Sequence, residues 1–101
     1  MTINKEKKDN ILTVILEGRL DTNTAPELDD LVADDLVGIK QLVLNVEKLE
    51  YVSSAGLRVI LMLHKKMAAK DGSLVIYKPI DDVMDVLDMT GFSTFLKIEE
   101  C

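Results

Sequence analysis

The chain has 101 residues, 48% hydrophobic and 30% charged, with 18 acidic against 12 basic residues and a net charge of −6. That is enough to bury the core of one domain, spanning residues 1–101, without disulfides or metal. The acidic balance, with only two Phe, two Tyr and no Trp, argues against a nucleic-acid partner. No basic-then-apolar leader opens the sequence, and its longest unbroken apolar run, Val59 to Leu63, is too short to span a bilayer.

Residues 2–8 read as a polar strand anchored by Ile3, followed by a turn at Asp9-Asn10. Ile11 to Gly18 is β-rich, so the two segments form a hairpin. Leu12, Val14 and Leu16 share its apolar face. Gly18 to Asn23 is a loop. Thr24-Ala25-Pro26-Glu27 has the form of a capping box, with Thr24 as the cap and Glu27 reaching back. The helix it opens carries Leu28, Leu31, Val32, Leu36 and Ile39 on one stripe and ends at Gly38. Asp29, Asp30, Asp34 and Asp35 lie off that stripe. No His or further carboxylate is spaced to complete a metal shell, so they read as a solvated face.

Gln41 to Val46 is a strand apolar on both sides, expected to be covered on both faces or nearly so. A serine loop follows, then a helix from about Ala55 to Lys70, with Leu57, Ile60, Leu61, His64, Met67 and Ala68 facing the core. Asp71-Gly72 stops it. Ser73 to Tyr77 is a further strand, joined to Gln41–Val46 by a right-handed parallel crossover. Asp81 and Asp82 start a last helix with Val83, Val86 and Leu87 inward and Gly91 at its end. Phe95 to Ile98 is a short final strand. The fold class is α/β: a mixed sheet of four or five strands with three to four helices.

Catalytic candidates fail on geometry. His64 is the only histidine, and ten helical positions separate it from Ser54, about 15 Å along the axis. A nucleophile and its base must approach to about 3 Å. Ser54-Ala55-Gly56 resembles the second half of a nucleophile elbow, but Val52 stands where its first glycine belongs. The five glycines form no phosphate-binding fingerprint, so no catalytic residue and no cofactor are expected. Cys101, the single cysteine, has no pairing partner, which fits a reducing cytosol. Ser53 and Ser54 stay open between two uses: capping the helix, or forming a functional site. Val59 and Met62, off the core stripe beside Arg58, form an apolar strip next to them that suits a partner surface.

Tyr51-Val-Ser-Ser-Ala-Gly-Leu-Arg-Val-Ile-Leu61 resembles the signature of the STAS domain of bacterial anti-sigma factor antagonists. Gly18-Arg-Leu-Asp-Thr-Asn-Thr-Ala-Pro-Glu-Leu28 is similar to the family's second recurrent stretch, and the order of elements agrees along essentially the whole chain. The resemblance implies a non-enzymatic, cytoplasmic binding module, monomeric when free. Its partners would be an anti-sigma factor that is a serine kinase and a PP2C-type phosphatase. It implies that Ser54 is the phosphorylated residue, with Ser53, which stands where the family commonly has Asp, as the alternative. The partner surface would comprise Asp21, Thr22, Asn23, Ser53, Ser54, Ala55, Gly56, Arg58, Val59 and Met62. A second reading is a scaffold subunit of a transport or signalling assembly, not switched through Ser54.

Overall fold

A computed structural model describes residues 1–100; Cys101 lies outside the described residues. The elements follow in the order β1 (Thr2–Lys8), β2 (Ile11–Leu20), α1 (Ala25–Val32), β3 (Gln41–Val52), α2 (Ser54–Ala68), β4 (Ser73–Tyr77), α3 (Asp81–Met89) and β5 (Lys97–Glu99). Short 3-10 turns occupy Asp34–Leu36 and Phe92–Thr94. The five strands lie side by side in chain order. β1 pairs antiparallel with β2 through the expected hairpin, and β2, β3, β4 and β5 run parallel to one another.

This order dictates where the helices sit. Each parallel step moves one strand further in the same direction, and each crossover is right-handed, so every helix falls on the same side of the sheet. The core confirms it. Leu12 and Val14 of β2, Leu42 and Leu44 of β3, and Leu74 and Ile76 of β4 stand in register. They form one cluster with Leu28 and Val32 of α1, Ile60 and Leu63 of α2, and Val83 and Leu87 of α3. The expectation that Gln41–Val46 is covered on both faces or nearly so is qualified by the same topology. Its alternate residues Gln41, Val43 and Asn45 are only half-buried, on the face that carries no helix.

Several boundaries move. β2 runs on to Leu20 and β3 to Val52, past the end of β4, whose five residues reach only Gln41–Asn45 of β3. The paired ends of β2 and β3 therefore project as a two-stranded ribbon, with bulges between Ile15 and Glu17 and between Gly18 and Arg19. Arg19 and Tyr51 are partners on it, the guanidinium 4.3 Å from the ring centroid. α1 stops at Val32 rather than at Gly38. A 3-10 turn and Gly38, at φ 84°, then lead the chain into β3. Leu31 is accordingly not a core residue; it is 41% exposed, and its carbonyl accepts from Lys5 Nζ at 2.8 Å. The core stripe of α2 is Leu57, Ile60, Leu63 and Met67. Leu61 and His64 are half-buried and Ala68 is exposed, while Leu63, missed in the periodicity, has no exposed surface. The His64 ring packs at 5.2 Å from that of Phe95. The last strand begins at Lys97, two residues later than expected, with Leu96 buried ahead of it.

β1 is an edge of the sheet. Apart from half-buried Ile3, all its residues are exposed.

Candidate functional site

The site forms where the ribbon ends and α2 begins. Ser53 has extended backbone (φ −88°, ψ 175°), and its side-chain oxygen accepts from the Gly56 N–H at 3.3 Å. Its carbonyl accepts from the Leu57 N–H at 2.9 Å, the first turn of the helix. Ser53 is therefore the cap. Ser54 is the first helical residue; it is exposed, and its hydroxyl makes no hydrogen bond among the described residues. The capping use thus falls to Ser53, and the Ser54 hydroxyl is left outside it.

The Asp21–Asn23 loop packs beside this mouth. The expected capping box does not form, because Thr24 makes no cap bond and Glu27 is exposed. Asp21 ties down the turn ahead of the helix instead. Its Oδ1 accepts from the Asn23 N–H at 3.0 Å and the Thr24 N–H at 3.1 Å, and its carbonyl accepts from the Ala25 N–H at 2.8 Å. The Thr24 hydroxyl instead donates to the Arg19 carbonyl at 2.7 Å and accepts from the Asp21 N–H at 2.8 Å. The Thr24 N–H foremost, aided by the Asn23 N–H and the Arg19 charge, holds the Asp21 carboxyl below the usual carboxylate value. A charged Asp21 side chain thus stiffens the loop and leaves Thr22 and Asn23 exposed.

Between α1 and α2 lies an open cleft of about 360 Å³, lined by Thr22, Ala25, Pro26, Asp29, Ala55, Arg58 and Val59. It brings together Thr22, Ala55, Arg58 and Val59 of the expected partner surface. Ala25, Pro26 and Asp29 are additions that sequence reasoning missed. Asp29 had been set aside with its acidic neighbours; only the packing of α1 on α2 turns it into the cleft. Its Oδ1 is shielded from solvent, 3.8 Å from Lys66 Nζ, with no hydrogen bond among the described residues. Asp35, from the same acidic stretch, pairs with Lys5 at 2.6 Å.

Three expected surface residues are less accessible than their spacing suggests. Gly56 is buried beneath Leu20; a Cβ there would meet Leu20 Cγ and the Leu20 carbonyl oxygen at 2.8 Å. It shapes the site and offers no contact. Val59 and Met62 are half-buried, and Val59 packs against the core, so the apolar strip is narrower than the helical spacing suggests.

The STAS domain family model matches residues 2–100. The candidate anti-sigma factor antagonist BtrV of Bordetella bronchiseptica is 31% identical over 99 residues, spanning 97% of this chain and 85% of that protein. The crystal structure of a candidate anti-sigma factor antagonist from Thermotoga maritima superposes with a TM-score of 0.92 at 21% identity, over 98% of this chain and 86% of that one. The anti-sigma factor antagonist SpoIIAA in unphosphorylated form gives a TM-score of 0.78 at 16% identity, over 96% of this chain and 86% of that one. The phosphorylated form of SpoIIAA, from Bacillus, gives 0.76 at 16% identity, over 96% and 90%. With one family model covering the sheet, the serine loop and all three helices, this chain belongs to the STAS domain family.

Proposed function

We propose that the chain is an anti-sigma factor antagonist: it binds an anti-sigma factor while Ser54 is unmodified, frees the sigma factor, and is switched off when Ser54 is phosphorylated. The observation that carries the reading is the free, exposed Ser54 hydroxyl beside a cap already supplied by Ser53. The names of the relatives, and a fold shared by SpoIIAA with and without its phosphate, support it. The anti-sigma factor would itself be the serine kinase, and a PP2C-type phosphatase would restore the active form. The domain acts by binding rather than by catalysis, as a cytoplasmic monomer.

The physics suits such a switch. A phosphoserine adds about −1.5 to −2 charges at pH 7. At the first position of α2 the free N–H groups and the helix dipole tolerate an anion, so the fold is left in place. For a partner docked over the cleft the same dianion must be buried, which costs several kcal/mol when unpaired. A loss of about 3–4 kcal/mol lowers affinity a few hundredfold.

The test is incubation with ATP and the serine-kinase anti-sigma factors of the source genome, read by intact mass and peptide mapping. One phosphate on Ser54 is expected, none after Ser54→Ala, and Ser54→Ala retains partner binding. A phosphate on Ser53, or no phosphate with any such kinase, overturns the reading.

A further inference from the structure

We propose that Arg58 is the residue through which a phosphate on Ser54 is read, an inference that rests on Ser54 being the modified serine. Arg58 follows Ser54 by four positions in α2, so both side chains lie on one exposed strip of the helix. Helical side chains lean toward the preceding turn, which for Arg58 is the turn that holds Ser54. Among the described residues Arg58 takes part in no ion pair. Arg58 lines the α2 side of the cleft between α1 and α2. The charged group on the opposite wall, Asp29, has its nearest cation in Lys66, at 3.8 Å.

A phosphoserine at position 54 carries three acceptor oxygens on a side chain whose Cβ lies about 5–6 Å from that of Arg58, within reach of this uncommitted cation. The planar guanidinium donates two parallel N–H bonds to two phosphate oxygens, a geometry lysine does not match. The acid lies N-terminal to the base, the favourable order along a helix. The guanidinium therefore turns back onto the phosphate and leaves the cleft wall. Unmodified, the cleft offers Arg58 to an acidic side chain of the anti-sigma factor; phosphorylated, it no longer does, and Asp29 remains on the facing wall with Lys66. Phosphorylation then acts twice, by adding a dianion and by withdrawing a docking cation.

The test uses full-length protein with phosphoserine installed at position 54 during translation, so no kinase is required. The chain contains only two arginines, and Arg19, stacked on Tyr51 at 4.3 Å, serves as the internal reference. In 1H–15N spectra the Arg58 Nε–H resonance is expected to shift on phosphorylation, to return toward its unmodified position in about 1 M salt, and to leave Arg19 unmoved. The 31P resonance of the phosphoserine is expected to differ between wild type and Arg58→Gln at the same pH. A stationary Arg58 resonance, equal movement of both arginines, or a 31P signal indifferent to Arg58→Gln overturns the proposal. Those outcomes leave the assignment of Ser54 standing, whereas a kinase assay that leaves Ser54 unmodified defeats that assignment without bearing on the pairing.

Discussion

The Leu20 carbonyl accepts the Ser53 N–H at 2.8 Å. One backbone bond thus ties the end of β2, and with it the Asp21–Asn23 loop, to the residue that caps α2. The same carbonyl oxygen lies where a side chain on Gly56 would have to go. The two halves of the site are held in register by backbone, and the Ser54 side chain takes no part in holding them.

Gly56→Ala should therefore damage both fold and site. The added methyl meets backbone oxygen as well as a side chain at 2.8 Å, and backbone cannot swing aside. Overpacking of this kind costs about 1–3 kcal/mol. Urea unfolding should show the loss.

The division of labour between the serines can be measured directly. Ser53→Ala removes the oxygen that accepts the Gly56 N–H and should cost about 1 kcal/mol. Ser54→Ala and Ser54→Asp alter an exposed side chain with no bond to lose and should stay within about 0.5 kcal/mol of wild type. Thermal or urea denaturation of the three variants checks the order. Ser54→Asp should nonetheless lose anti-sigma factor binding.

Truncation in α2 separates the observed core stripe from the one its spacing suggested. Leu63→Ala empties a fully buried site and should cost about 2–5 kcal/mol. Leu61→Ala, at a half-buried position, should cost clearly less. Equal losses would mean that the helix is rotated from the position described.

Asp21 predicts an acid-side effect of definite sign. Its folded-state pKa lies below the ordinary 3.8, so the ionised carboxylate stabilises the folded loop above that value. The contribution disappears as pH falls through the lower, folded-state pKa. Asp21→Asn, which keeps an acceptor oxygen but no charge, should lower stability at neutral pH, flatten the pH dependence below about pH 4 and converge with wild type at the acid end. Denaturation midpoints measured between pH 2 and 6 test this.

Much of the architecture was legible because it rests on pattern. The β1–β2 alternation, the crossover from β3 to β4 and the helix after the serines each follow from residue period and turn residues. What escaped detection depends on three-dimensional neighbours. The extension of β3 to Val52 is carried by pairing with β2, not by the polar residues Glu47, Lys48 and Glu50 themselves. Leu31 satisfies the helical spacing, yet α1 ends one residue later and leaves it outside. The capping box at Thr24 matches in sequence, but the Asp21 carboxylate, three residues earlier, takes the Thr24 N–H to which Glu27 would have reached back. Of the site, the serine pair at the start of α2 was legible in the residue pattern, and the Asp21 loop only through the family resemblance; Asp29 was not, since it joins Arg58 in one cleft only once α1 packs on α2.

The exposed first strand has a consequence for how the protein behaves when crowded. One side of β1 has no strand beside it, and such an edge invites another chain to lengthen the sheet. Lys5, Lys7 and Lys8 stand along it, exposed, and an identical strand laid alongside would bring like charges together. These lysines discourage fibre growth from β1, and Lys5, anchored to Asp35, is the one among them that also clamps the strand to the helical layer.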